Sequence, residues 1–225
     1  LVAALHEVMN PSVNVLTVED PVEYMIDGAR QIKLSHKLGM DGALRSILRH
    51  DPDIVMVGEM RDKPTAELAI KLANTGHLTF STLHTNDAPS AISRLYKMGI
   101  EPFLLAYGIN IVGAQRLVRT LCPSCKQVEE DKDPVLLREL GFSKEEIQQE
   151  TFYRAGDVDD CAECHGRGYS GRRAIAEALY FSSAIRHLIV GAGEDIDEEA
   201  VRKTALEEGL MTLRASAREV VLMGD

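Results

Sequence analysis

The sequence predicts an α/β fold: a parallel sheet core, a tetracysteine metal module and a helical C-terminal region. Three observations carry that prediction. Short apolar runs alternate with amphipathic stretches through the first half of the chain, the pattern of a parallel, right-handed α/β sheet. Four cysteines occur as two pairs, Cys122 with Cys125 and Cys161 with Cys164. The 225 residues, 45% apolar and 27% charged, have an ordinary globular balance, which argues against disorder or a fibrous architecture. At roughly 150 residues per domain, the length fits one compact domain with an appendage. The expected division is 1–121, 122–171 and 172–225.

The elements follow in order. Residues 1–9 are amphipathic, and 13–18 form a Val- and Leu-rich run that ends at Glu19, Asp20 and Pro21. Residues 43–49 read as helix: Leu44, Ile47 and Leu48 share one face, Arg45 and Arg49 another. Asp51-Pro52-Asp53 breaks that helix. Residues 54–57 are a continuous apolar tetrad, as in a strand buried on both faces, and they end at Gly58-Glu59. A helix over 63–74 has Asp62 as its N-cap, an apolar stripe of Ala66, Ala69, Ile70 and Ala73, and Gly76 as its stop. Residues 77–84 read as a third strand. The next helix starts at Asp87 with Pro89 in its first turn and stops at Gly99.

Residues 104–121 read as mostly helical. Beyond Cys122 the composition changes, with charge concentrated over 126–160 and a capping box at Ser143 and Glu146. Glycines crowd 166–171. Residues 174–225 read as mainly helical, with Asp197 as an N-cap and Gly209 as a stop.

Charge narrows the function classes. Lys and Arg number 25 against 35 Asp and Glu, a net charge of −10, which disfavours a nucleic-acid binder. No apolar run reaches the roughly 18 to 20 residues of a membrane span. Residues 103–114 come closest but contain Gly108, Asn110 and Gly113. With no basic segment before an apolar one at the start, the expected location is cytoplasmic. Leu1 is not an initiator Met, so the chain is expected to be a fragment or processed form.

The three inferred strands each end in chemically active residues: Glu19, Asp20 and Glu23; Glu59; and His84. Ligands of open parallel sheets bind at the carboxyl ends of strands, so these residues converge if the strands are neighbours. Carboxylates there suit Mg²⁺ or the alignment of a water, and a histidine suits a terminal phosphate. The competing reading is a set of solvated loop residues or helix caps. His77 stands at the other end of its strand and reads as structural. No GxxxxGK[ST] phosphate loop occurs, so the residues alone argue against ATP binding.

The segments TVEDPVEY (17–24), ILRHDPDIVMVGEMRD (47–62) and TGHLTFSTLHTNDA (75–88) change that balance. In order and wording they resemble the Asp box, Walker B region and His box of the secretion ATPase superfamily. That superfamily includes type II secretion E-type ATPases, type IV pilus assembly and retraction ATPases, and conjugation ATPases. The resemblance implies a RecA-like core that uses ATP and Mg²⁺. It also implies that the phosphate loop lies immediately before residues 1–9 in relatives, so that this stretch alone hydrolyses no ATP.

By motif position, Glu59 matches the Walker B glutamate, which acts on Mg²⁺ and the attacking water. Glu19, Asp20 and Glu23 match the Asp-box acids, and His84 and His77 the two His-box histidines. Arg45, Arg49 and Arg61 match family arginines at subunit contacts or near phosphate. Read locally, Arg45 and Arg49 are an exposed basic helix face, and Arg61 is a salt-bridge partner of Asp62 or an Asp-box acid. The segment between the Asp box and Ala43 is shorter than the family pattern.

Four thiolates suit tetrahedral Zn²⁺, although 35 residues separate the two CxxC pairs and free thiols are the alternative. LCPSCK followed by CxxCxGxGYxGR resembles the secretion and pilus-assembly branch, which favours a closed, structural zinc site. His165 is then a bystander. The resemblance implies a homohexameric motor for pseudopilus or pilus assembly. Its implied partners are inner-membrane platform and adaptor proteins, so membrane association is peripheral and through partners only. The wording of LVRTLCPSCK leans towards type II secretion. Two alternatives are a zinc-stabilised docking module without catalysis and an unrelated Mg²⁺-dependent phosphohydrolase.

Overall fold

The structure, a computed structural model, describes every residue except Asp157 and Glu194. The chain forms two compact units, each built from two segments. The first combines Leu1–Val112 with Tyr180–Ala205, and the second Gly113–Leu179 with Leu206–Asp225. This partition differs from three consecutive blocks because one long strand leads out of the first unit and another returns to it.

In the first unit, helix α1 (Val2–Val8) precedes strands β1 (Val15–Glu19) and β2 (Ala29–Lys33). Then come α2 (Met40–Ile47), β3 (Ile54–Val57), α3 (Lys63–Asn74), β4 (Leu78–Ser81), α4 (Ala88–Lys97) and α5 (Pro102–Gly108). The four strands form one parallel sheet in the order β2-β1-β3-β4. Every residue of β1 and of β3 is buried. That is the two-faced burial expected of central parallel strands, and it explains why 54–57 is apolar throughout. On one side Leu5 of α1 packs with Val15, Ile26, Ile54 and Met56. Leu44 and Ile47 of α2 are fully buried, as their spacing predicts, together with Ala43, whereas Leu48, the third residue of the predicted face, is exposed because the helix tightens into a 3-10 turn there.

The caps behave as their chemistry requires. The Asp62 carboxylate accepts from the Thr65 N–H at 2.9 Å, and that of Asp87 from the Ser90 N–H at 3.0 Å. Gly76 and Gly99 follow α3 and α4 with positive φ. Strand β4 is shorter than the 77–84 run, so both histidines lie outside it.

Residues 104–121 depart from the helical reading. Only α5 is helical there, and Ile111–Leu121 is strand β5. It pairs with a later strand over Tyr169–Tyr180, so a strand also opens the region read as mainly helical. Ala114, Leu117, Val118 and Leu121 recur at helical spacing, but ladder hydrogen bonds to a partner distant in sequence outweigh that local pattern. Helix α5 packs against α3, and also against a helix over Ser183–Val190.

In the second unit, β6 (Gln127–Val128) precedes α6 (Pro134–Glu139), α7 (Lys144–Gln149) and β7 (Tyr153–Arg154). Strands β6 and β7 pair antiparallel. The Ser143 capping box forms as predicted. Phe142, Ile147 and Phe152 make a small core. The long strand β8 (Tyr169–Tyr180) then leads to α8 (Ser183–Val190) and α9 (Glu198–Glu207) in the first unit, and α10 (Leu213–Leu222) closes the second. Among the described residues, no helix is long and apolar enough to cross a membrane.

Candidate functional site

The strand order reverses between β1 and β3, where β2 lies on one side and β4 on the other. A crevice at the carboxyl ends of strands at such a point is the usual ligand site of an open α/β sheet. Gly58 lets the two strand ends come together. A Cβ there would stand 3.1 Å from the Val18 carbonyl oxygen and 3.4 Å from Glu19 Cα. Its N–H donates to Val18 at 2.8 Å, and the Thr82 hydroxyl donates to the Gly58 carbonyl at 2.6 Å. A cleft of about 830 Å³ opens here, and its walls include Glu19, Asp20, Glu23, Glu59, Arg61 and His84. Six residues read from three separate motifs therefore share one cleft.

Glu59 is held on both oxygens. Arg61 Nε donates to Oε2 at 2.7 Å, and His84 Nε2 lies 2.6 Å from Oε1. Arg61 thus pairs with Glu59, not with Asp62 or an Asp-box acid. Glu19 is almost fully buried, and both of its donors reach the same oxygen. Thr17 Oγ1 stands 2.6 Å from Oε1, and Gln31 Nε2 stands 2.9 Å from it. Asp20 and Glu23 are exposed at the rim. Thr17 and Gln31 carry no catalytic signature in the sequence. Thr17 was findable because it lies two positions before Glu19 and therefore on the same face of the strand.

Three predicted residues lie elsewhere. His77 immediately precedes β4, at the opposite end of the sheet from Glu59. Its Nδ1 lies 3.1 Å from the Leu72 carbonyl and 3.0 Å from Thr75 Oγ1. Arg45 pairs with Asp41 at 2.9 Å on the exposed face of α2. Arg49 is exposed in a 3-10 turn over Leu48–His50.

The second unit gathers the four cysteines. All are buried, none forms a disulfide, and their sulfurs lie within 4.8 Å of one another. Sulfurs bound to tetrahedral Zn²⁺ at about 2.3 Å stand about 3.8 Å apart. Cys122 and Cys161 are 3.8 Å apart, and Cys125 and Cys164 are 3.6 Å apart. The donor set fits zinc, with all four ligands supplied by protein. The β6–β7 pair explains the long spacing. It joins the chain just after the first knuckle to the chain just before the second, and α6 and α7 fold the residues between.

Thiol acidity differs around the cluster. Burial, followed by contact with neighbouring thiols, pushes Cys125 up to about 12. Backbone N–H groups of Cys164 and Glu163 draw Cys161 down to about 7. The Gly168 N–H also reaches Cys164 Sγ at 3.3 Å, a donor suited to a metal-bound thiolate. A bound cation would offset the cost of burying thiolates together.

Comparisons with known proteins identify the family. The chain is 41% identical over 228 residues to "Type IV pilus assembly ATPase PilB" of Myxococcus xanthus, covering 100% of this chain and 39% of that protein. It is 47% identical over 208 residues to "Type II secretion system ATPase E" of Vibrio cholerae, covering 91% of this chain and 40% of that protein. The chain thus spans about two-fifths of the length of these relatives. Among solved structures, the pilus retraction motor PilT with bound ADP matches with a TM-score of 0.65 at 24% identity. That match covers 99% of this chain and 52% of PilT and shows a shared fold. The family model described as "Type II/IV secretion system protein" matches residues 1–225. A parallel α/β sheet with acids at its switch point, a tetracysteine cluster and a family match along the whole chain lead to one conclusion: this chain belongs to the type II/IV secretion system protein family.

Proposed function

We propose that the chain is the C-terminal ATP-hydrolysing part of a motor that drives pseudopilus or pilus assembly. The observation that carries this reading is the convergence of Glu19, Glu59 and His84 on one crevice at the switch point. The names of the relatives support the same reading. Glu19, Asp20 and Glu23 would hold Mg²⁺ at the cleft, and the ion would supply the charge neutralisation common to phosphoryl transfer.

The chain's own residues then divide the work. Glu59 orients the attacking water. Glu19, with Asp20 and Glu23 at the rim, holds negative charge towards the cation. His84 donates to the terminal phosphate. In doing so it exchanges the Glu59 carboxylate for a phosphate oxygen and frees Glu59 for the water. Arg61 keeps the other Glu59 oxygen in place. Arg45 and Arg49, exposed and away from the cleft, fit contacts with a neighbouring subunit better than direct phosphate binding. His77 braces the start of β4. The β- and γ-phosphates need a backbone cradle, which we assign to a phosphate loop elsewhere in the full-length protein.

The zinc site is structural in this reading. The motor works as a homohexamer at the cytoplasmic face of the inner membrane. A net charge of −10 opposes direct binding to anionic lipid, so platform and adaptor proteins recruit it.

The test is ATP turnover by the full-length protein with and without Glu59→Gln. Loss of a transition-state contact should lower kcat on the order of 10²- to 10³-fold and leave Mg-ATP affinity nearly unchanged. Wild-type turnover in the variant removes Glu59 from the mechanism.

A further inference from the structure

The geometry points to Thr17 and Gln31 as positioning residues that pin one oxygen of Glu19 and leave the other for the cation. This inference rests on reading the cleft as an ATP-hydrolysis site. Thr17 is completely buried on β1, and Gln31 is its direct neighbour on β2. Both donate to Glu19 Oε1, at 2.6 and 2.9 Å. Among the described residues no donor reaches Oε2. A buried carboxylate that only needed satisfying would gain from donors on both oxygens. Here one oxygen takes both, which fixes the plane of the carboxylate and leaves a single oxygen unclaimed beside the cleft.

Gln31 does a second job. Its Oε1 accepts from the Ile26 N–H at 2.7 Å, which sets the amide orientation and turns the NH₂ group towards Glu19. The same NH₂ donates to the Tyr24 carbonyl at 2.9 Å. One side chain therefore ties Glu19 to the loop that carries Asp20 and Glu23. The Asp-box acids are held as a set, which is the requirement for a cation shared among them.

Conservative substitutions test this in the full-length protein. Thr17→Val keeps the buried volume and removes the donor. It should lower kcat about 10-fold or more, the size of a lost hydrogen bond to a charged group. KM for ATP should change little, while the Mg²⁺ concentration giving half-maximal rate should rise. Thr17→Ser restores the donor and should recover most of the rate and the Mg²⁺ response. Gln31→Met should reproduce the Thr17→Val phenotype. Wild-type kcat and Mg²⁺ dependence in Thr17→Val and Gln31→Met would overturn the positioning role. So would equal losses in Thr17→Ser and Thr17→Val that track thermal stability. Glu19→Gln separates the two levels of the argument. If Glu19→Gln is inactive while both positioning variants are normal, only this inference fails. If Glu19→Gln hydrolyses ATP like wild type, the role given to Glu19 in the cleft fails and this inference with it.

Discussion

Glu59 and His84 meet directly at the cleft, with Oε1 and Nε2 2.6 Å apart. The contact joins the end of β3 to the loop after β4, and in the proposed mechanism it occupies the oxygen that would orient the water. In that mechanism a terminal phosphate would compete for the same histidine. Mg-ATP added to the full-length protein should therefore shift the His84 imidazole signals in NMR and leave those of His77 in place, since His77 sits at the far end of the sheet. His84→Ala should lower kcat on the order of 10²-fold, as for loss of a single phosphate or oxyanion donor. Equal shifts in the two histidines would contradict the assignment of distinct roles.

Zinc content is directly measurable. Elemental analysis should find one zinc per chain in protein purified without chelator. Cys161→Ser should release it. Hydrogen exchange should then rise around the knuckles and β6–β7 while β1 and β3 stay protected. Full zinc occupancy in the variant would show that Cys161 is not a ligand.

Gly156 makes a separate claim about the same module. A Cβ at this position would clash with the Cys125 carbonyl oxygen, a contact with backbone that cannot swing aside. Gly156→Ala should destabilise the second unit by more than about 2 kcal/mol, in the range of severe packing errors. It should also speed zinc transfer to a chelator, although no ligand is altered. A wild-type rate of zinc release would mean that the first knuckle tolerates a shift of its backbone.

Acid should loosen the caps of α3 and α4. The Thr65 N–H holds Asp62 below the usual aspartate value of 3.8. Burial pushes Asp87 upwards, but hydrogen bonds from Ser90 and Arg202 outweigh it and hold Asp87 below 3.8 as well. Depressed values mean that the stabilisation is complete above the unfolded-state value and is lost as pH falls through the folded one. Asp87→Ala should cost about 1 kcal/mol at neutral pH, the usual size of a lost N-cap. Denaturant melts should show the gap between variant and wild type closing towards pH ~2. A gap that persists in acid would place the effect in packing and not in the carboxylate.

Much of the site was legible because its signals are local. Glu19 and Glu59 each follow an apolar run, and strand direction alone sends such residues to one edge of a parallel sheet. The partners of Glu59 were less legible. The sequence pointed Arg61 to Asp62 or an Asp-box acid, and only the structure shows it paired with Glu59. Thr17 and Gln31 are ordinary strand residues by type. Their meaning comes from the β1–β2 register, which places them side by side under Glu19.

The sequence by itself determined the α/β class, the two central strands, the capped helices and the pairing of cysteines into knuckles. Each depends on residues close together in the chain, through side-chain periodicity or a cap reaching its own first turn. Tertiary structure decided that Ile111–Leu121 is a strand, that the chain forms two interleaved units, and that two knuckles 35 residues apart share one cluster. Those outcomes depend on partners distant in sequence. A stretch with Ala114, Val118 and Leu121 at helical spacing can satisfy its backbone within itself or against another strand. The hydrogen bonds and burial offered by β8 determine which state is lower in free energy.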